Sequence, residues 1–171
     1  MDTWDAITSR RNVRWFTEEP IDPEILDRIL EAGRRTPSSR NGQPWDFVVV
    51  VDEERLKELS RVWENAGHVA RSAATIAIVV DEVVTPRDRE MTQFDLGQAV
   101  MQMMIAAAGF GLGSAHAWVQ DVDEAKRVLD LPEGKVLAWM VAFGHPSDGP
   151  LSPIRKPNRH PFDEVVHRET W

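Results

Sequence analysis

The stretch that decides the fold is TPSSRNGQPWDFVVVV, residues Thr36–Val51, in which a polar loop leads directly into an apolar run. Pro37 ends a preceding helix because its ring excludes the helical backbone hydrogen bond, and Pro44 favours an extended conformation at Gln43. The aromatic and β-branched run that begins at Trp45 predicts a strand buried on both faces. Polar loops at the mouth of such strands often bind small molecules, although a plain surface loop is the simpler interpretation.

Helices are predicted on both sides of this strand. Residues 3–11 have helical spacing, with Thr3 as the cap. A second helix spans 22–35, because Asp22-Pro23-Glu24 combines an N-cap, a proline at the first position and an acid in the first turn. Asp52 is expected to cap a helix that ends near Asn65.

The remainder of the chain alternates buried strands with helices. The predicted elements are strands at 74–80, 114–119 and 136–143, helices at 91–109 and 121–130, a charged loop at 82–90 and a proline-rich tail at 144–171. The 91–109 helix is apolar around most of its circumference, which is typical of the middle of a fold or of a subunit interface. Its glycine-rich end follows a helix, whereas a dinucleotide-binding fingerprint must follow a strand.

Composition excludes several function classes. The 171 residues carry 20 basic and 28 acidic side chains, a net charge of −8, which disfavours binding to nucleic acids or anionic membranes. There is no cysteine, no signal-peptide core and no apolar run of about 20 residues, so we expect one cytoplasmic domain without membrane spans. The five histidines show no metal-ligand spacing. With no nucleophile motif either, an enzyme of this sequence would need a bound cofactor.

Two basic clusters stand out in this acidic chain. Ser9–Arg14 has three arginines in five residues, and the tail carries Arg155, Lys156 and Arg159. Such clusters are often surface ion pairs of small energy. The alternative is a phosphate clamp, because guanidinium groups match phosphate oxygens and Asn12 adds a neutral donor.

Four separated motifs together resemble the FMN-dependent nitroreductase family, in its short form. They are SRRNVR at 9–14 with Phe16, PSSRNGQPW at 37–45, GLGS at 111–114 at the end of a helix, and RHP at 159–161 with VVH at 165–167. The resemblance covers nearly the whole chain. It implies an α+β fold with a central mixed or antiparallel sheet flanked by helices, and an intertwined homodimer whose C-terminal tail crosses to the partner.

The resemblance also implies FMN as cofactor, at the subunit interface, and assigns residues to it. Arg10, Arg11, Asn12 and Arg14 would clamp the phosphate and the flavin edge, with Asn12 replacing the serine that is usual in the family. Arg159, assisted by Lys156 or Arg155, would close on the phosphate. Residues expected nearer the ring are Pro37, Ser38, Ser39 and Asn41 of the partner loop, Gln98, and the segment His116, Ala117 and Trp118.

The implied activity is ping-pong hydride transfer from NAD(P)H through N5 of FMN to a small acceptor. The chain is short between Asp81 and Met91, where longer members insert covering helices, which predicts an open pocket and acceptors such as nitroaromatics or quinones. Alternatives are a protein that consumes or remodels its flavin, one that sequesters flavin without turnover, and a colourless acidic dimer with incidental arginines. No motif distinguishes NADH from NADPH.

Overall fold

The computed structural model describes residues 1–82 and 85–171. Its elements, in chain order, are α1 (Thr3–Ser9), α2 (Pro23–Arg34), β1 (Asp46–Val50), α3 (Glu53–Leu59), β2 (Ala74–Asp81), α4 (Pro86–Gly109), β3 (Gly113–Ala117), α5 (Val122–Leu129), β4 (Lys135–Gly144) and α6 (Phe162–Val165). Short 3-10 turns occur at Ser39–Asn41 and Val69–Arg71. The predicted α+β class is confirmed.

The four strands form one sheet in the order β1-β2-β4-β3, and every neighbouring pair is antiparallel. Of the two predicted alternatives, mixed or antiparallel, the antiparallel sheet is therefore correct. β2 and β4 lie in the centre, and β1 and β3 form its two edges. This order separates the two segments that the sequence analysis assigned to one site.

The two faces of the sheet pack against different helices, because successive side chains of a strand point to opposite sides. Ile76, Ile78 and Phe143 lie on one face in a core with α2 and with Met103 and Met104 of α4. The opposite face packs against side chains of α3 and α5. Each face is apolar, which explains the continuous apolar runs of β2 and β4.

β1 is an edge strand, and the prediction that it is buried on both faces holds only in part. Phe47 packs against one core and Val48 against the other, but both are only partly buried, and Val49 is 39% exposed. An apolar run identifies a strand, but it does not distinguish a central strand from an edge strand within one chain. Val51, directly after β1, is also exposed.

Helices α1, α3 and α4 differ from the predictions by more than one residue at one end. α4 begins at Pro86 and is capped by the Thr85 side chain. Residues 86–90, which the sequence predicts as part of a charged loop, are therefore helical. Residues 83 and 84 of that predicted loop lie outside the described residues. α3 is capped by Asp52 as predicted but ends at Leu59, where turns replace the last predicted turns. α1 is capped by Asp2 rather than by Thr3.

No helix in the described ranges is both long and apolar enough to cross a bilayer.

The tail leaves the body of the chain after Leu151, which is buried. The backbone N–H of Ile154 donates to the carbonyl of Thr8 at 3.0 Å. From residue 152 onwards every residue is exposed, including the apolar side chains of the four-residue helix α6 and Trp171.

A buried histidine predicts how stability depends on pH. His68 is 2% exposed, and burial together with the charges of Arg14 and Arg71 lowers its pKa below the ordinary 6.5. The folded chain therefore resists a proton that the unfolded chain binds. The stability this provides is complete above pH ~6.5 and is lost as pH falls through the lowered pKa. Between pH ~7.5 and pH ~5.5, the urea midpoint should fall further for the natural protein than for His68→Gln.

The control for this experiment is His167→Gln, in the exposed tail, which should keep the natural pH dependence. Identical pH dependence of the urea midpoint in the natural protein and in His68→Gln would contradict the assignment of this pH dependence to His68.

Candidate functional site

The segment that follows α1 lies along the edge strand β3. The backbone N–H of Val13 donates to the Ser114 carbonyl at 2.9 Å, and Asn12 forms a parallel bridge with Ser114. The approach is close because position 113 is glycine: a Cβ there would lie 2.7 Å from Cβ of Val13. Gly113 therefore sets the distance between the basic segment and β3.

This docking brings Arg10, Asn12 and Arg14 next to the predicted flavin-facing strand. Nη1 of Arg10 donates to Oδ1 of Asn12 at 3.3 Å. Partial desolvation and then the charges of Arg10 and Arg14 lower the pKa of His116 in β3. Predicted residues that are more than 100 positions apart in sequence are thus neighbours in the fold.

Arg10 and Arg14 form no ion pair with any carboxylate in residues 1–82 and 85–171. In a chain of net charge −8, two guanidinium groups near His116 that have no carboxylate partner among the described residues are a place where an anion is stabilised. The donor set of Arg10, Arg14 and the Asn12 amide fits a phosphate group, which presents several acceptor oxygens.

Arg11 differs from its neighbours. Its Nη2 donates to both carboxylate oxygens of Asp148 at 2.9 Å. This ion pair ties the basic segment to the start of the tail. Asp148 occupies only Nη2 of Arg11, and Nη1 has no hydrogen-bond partner among the described residues.

The predicted segment His116, Ala117 and Trp118 has three different environments. The exposed His116 ring contacts Trp139 of β4 edge to face, with centroids 5.9 Å apart. The Ala117 side chain is fully buried on the other face of the sheet, which leaves only its backbone for a ligand on this side. Trp118 is half exposed and contacts Trp63.

The loop Pro37–Asn41 is held by a buried carboxylate of α4. The backbone N–H of Ser39 donates to Oδ2 of Asp95 at 2.9 Å, and the Ser39 hydroxyl donates to Oδ1 at 3.1 Å. Asp95 is 3% exposed. The Ser38 hydroxyl accepts from the backbone N–H of Gln43 at 2.9 Å. These bonds fix a loop in which Arg40, Asn41 and Gln43 have positive φ angles.

The two halves of the predicted site do not meet within one chain. Pro37–Asn41 precedes β1, whereas Arg10–Arg14 lies beside β3 at the opposite edge of the sheet. Three strand spacings separate these edges, or about 14 Å at about 4.8 Å per strand. Gln98 lies on an outward face of α4, in a shallow groove with Phe94, which is 69% exposed, and Met101.

The tail residues Lys156 and Arg159 are both exposed, and Nη1 of Arg159 donates to the neighbouring Asn158 carbonyl at 2.6 Å. The tail starts close to the basic segment, because the backbone N–H of Ile154 donates to the carbonyl of Thr8.

Two acids that position this site are not predicted by the sequence. Asp148 pairs with Arg11 across 137 positions, a contact that no local pattern indicates. Asp95 did leave a signal, because it is a lone acid within a helical stretch that is apolar around most of its circumference. A carboxylate in such a place needs a specific hydrogen-bond donor, and Ser39 supplies it.

Comparison with known proteins gives a consistent picture. One relative, from Archaeoglobus fulgidus and provisionally named NADH dehydrogenase/NAD(P)H nitroreductase, is 29% identical over 96% of both chains. The crystal structure of NADPH:FMN oxidoreductase from Vibrio harveyi, complexed with NAD+, superposes with a TM-score of 0.85 at 26% identity and covers 99% of this chain and 77% of that one. Nitroreductase A from Vibrio parahaemolyticus gives a TM-score of 0.85 at 26% identity, covering 100% of this chain and 77% of that one.

A sequence model of the Nitroreductase family matches residues 7–66 and 60–145, which include the basic segment, the Pro37–Asn41 loop, α4 and β3. The chain therefore belongs to the Nitroreductase family.

Proposed function

We propose that the protein is an NAD(P)H-dependent flavin oxidoreductase that uses FMN and reduces small acceptors such as nitroaromatics or quinones. The observation that carries the proposal is the pair Arg10 and Arg14, which has no carboxylate partner among the described residues and lies against the edge strand β3. The printed names of the relatives, NAD(P)H nitroreductase and NADPH:FMN oxidoreductase, support the same chemistry.

The chain's own residues would hold FMN by its phosphate and its ring. Arg10, Arg14 and the Asn12 amide supply charge-assisted and neutral donors for the phosphate, with Arg11 tied to Asp148 beside them. The backbone of His116 and Ala117 supplies the wall along the ring. Positive charge next to bound flavin would stabilise negative charge that develops on the ring and so raise the flavin's potential.

When bound, FMN would supply the hydride-transfer chemistry between NAD(P)H and the acceptor. No side chain of this site needs to act as a nucleophile or as a general base. The role of the protein is to bind, to orient and to supply charge.

The proposed site is completed by a second copy of the chain. The partner's Pro37–Asn41 loop would supply the ring-side contacts, because within one chain this loop precedes β1, and β1 lies about 14 Å from β3. The exposed face of α4 around Phe94 and Met101 gives the dimer an apolar surface, with Gln98 at its centre. The tail, exposed from residue 152 onwards, would cross to the partner and bring Lys156 and Arg159 to the phosphate.

The proposed breadth of acceptors rests on the short connection between β2 and α4. β2 ends at Asp81 and α4 begins at Pro86, which leaves four residues between them. Four residues cannot form a covering helix over a substrate. An acceptor would therefore be chosen by its redox chemistry and flat shape rather than by an enclosing pocket.

Initial-rate kinetics test the proposed mechanism. With NADPH and a nitroaromatic or quinone varied together, double-reciprocal plots should give parallel lines, because one exposed ring face serves both substrates in turn. Intersecting lines would overturn the ping-pong sequence.

Two alternatives give other results in the same experiment. A flavin-sequestering protein would show flavin absorbance but no turnover. A flavin-remodelling protein would lose its flavin spectrum permanently during reaction with oxygen.

A further inference from the structure

A second cavity lies at the start of α4, next to the loop anchored by Asp95. It has a volume of about 390 Å³ and is lined by the loop residues Ser39 and Arg40 and by Arg87 and Asp88 of the first helical turns. Its size is within the range of cavities that hold small ligands. None of the residues that the resemblance assigned to the FMN phosphate lines this cavity.

Four charged side chains line this cavity: Arg40, Arg87, Asp88 and Asp95. Neither Arg40 nor Arg87 forms an ion pair within 4.0 Å of a carboxylate in the described ranges 1–82 and 85–171. The two acids that line the cavity have donors of their own. Asp95 accepts both bonds from Ser39, and Oδ2 of Asp88 accepts from the Thr85 hydroxyl at 2.6 Å.

The arginines come from separate elements and share one cavity. Arg40 lies in the 3-10 turn Ser39–Asn41, which Asp95 holds, and Arg87 lies in the first turn of α4. Two guanidinium groups in one cavity match a doubly charged phosphate monoester better than they match a single carboxylate. Ser39 lines this cavity and also belongs to the Pro37–Asn41 loop, which the proposed function places beside the flavin.

We infer that this cavity binds the 2′-phosphate of NADPH and gives the enzyme a preference for NADPH over NADH. The inference rests on the proposed function, since it concerns the reductant of the same flavin site. The 2′-phosphate is a monoester that carries close to two negative charges near pH 7, and NADH lacks it. With NADH bound, Arg40 and Arg87 gain no 2′-phosphate partner.

Coenzyme kinetics of the FMN-loaded protein test the inference. Arg87→Ala and Arg40→Ala should each lower kcat/KM for NADPH about tenfold, the loss expected for one charge-assisted contact to phosphate. For NADH, kcat/KM of Arg87→Ala should change less than about twofold, because Arg87 lies outside the loop assigned to the flavin. Asp88→Asn, which removes a negative charge from the cavity, should raise kcat/KM for NADPH. Arg28→Ala, an exposed arginine of α2, should leave both coenzymes unchanged.

A binding measurement tests the same contact without turnover. By calorimetry, adenosine 2′,5′-bisphosphate should bind the natural protein about tenfold more tightly than adenosine 5′-monophosphate does. Arg87→Ala should abolish this difference. An unchanged difference in both arginine variants would overturn the inference.

The kinetic results separate this inference from the proposed function. If the natural protein carries FMN and turns over both coenzymes, but the arginine variants keep its NADPH to NADH ratio, only the 2′-phosphate assignment fails. Equal losses with both coenzymes in Arg87→Ala would also overturn it. A natural protein that neither coenzyme reduces would refute the proposed function itself.

Discussion

Replacement of Arg10 by alanine is expected to weaken FMN binding by about ten- to a hundredfold. A hydrogen bond to a charged group contributes about 1.5–3 kcal/mol, and each 1.4 kcal/mol is a factor of ten in the dissociation constant. The hydrogen bond that the Arg10 side chain forms within the described chain goes to Asn12, at 3.3 Å, so little native structure depends on it. The variant should therefore lose cofactor affinity while its thermal unfolding midpoint stays close to the natural one.

Fluorescence titration of the apoprotein with FMN measures this change directly. Arg28→Ala is the matched control, because it removes an exposed arginine far from β3 in the chain. Arg159→Ala extends the test to the tail and should also release FMN. If both Arg10→Ala and Arg159→Ala bound FMN as tightly as the natural protein, the proposed phosphate clamp would be refuted.

Gly113→Ala is expected to have the largest effect on the fold and the site together. The added methyl carbon would lie 2.7 Å from Cβ and 2.8 Å from Cγ1 of Val13, so one of the two backbones must move. Overpacking of this kind costs about 1–3 kcal/mol. Because Asn12 and Arg14 flank Val13, the same shift moves two proposed phosphate ligands, and FMN affinity should fall together with stability.

A second substitution separates this clash from other effects. Val13→Ala removes Cγ1 and Cγ2. Combined with Gly113→Ala it should recover part of the lost stability, because the effects of substitutions at residues in contact are not additive. Gly109→Ala is the control: a Cβ at that position of α4 meets nothing within 4 Å. Denaturant unfolding that shows Gly113→Ala as stable as the natural protein would contradict the close approach.

Local signals in the sequence were sufficient for much of the fold. Asp22 and Asp52 cap their helices as predicted, because an N-cap depends on residues within one turn. β2 and β4 were identified because both their faces are apolar. The start of α4 is not predicted correctly. The charged residues after Thr85 indicate a loop, although Pro86 is favourable at the first helical position.

Features that depend on long-range pairing could not be predicted. The apolar run of β1 fits either a central or an edge strand, and only the pairing order shows that it is an edge. Arg11 was assigned to the same phosphate clamp as Arg10, but its partner Asp148 lies 137 positions away. The position of β1 in the sheet and the Arg11–Asp148 ion pair both depend on how distant parts of the chain come together in the fold.

The candidate site was predicted in parts rather than as a whole. The basic segment and β3 do meet, and their motifs supplied the residues. The Pro37–Asn41 loop lies at the other edge of the sheet, so a site that uses both halves needs two chains. The α4 cavity with Arg40 and Arg87 had no counterpart in the sequence analysis, because its two sides come from separate elements.

The visible spectrum of the purified protein, before and after anaerobic addition of NADPH, tests the central claim most directly. We predict flavin absorbance in the protein as purified or after incubation with FMN, bleaching of that absorbance by NADPH, and its return when a nitroaromatic or quinone is added. A protein that shows no flavin bands even after incubation with FMN would contradict the account.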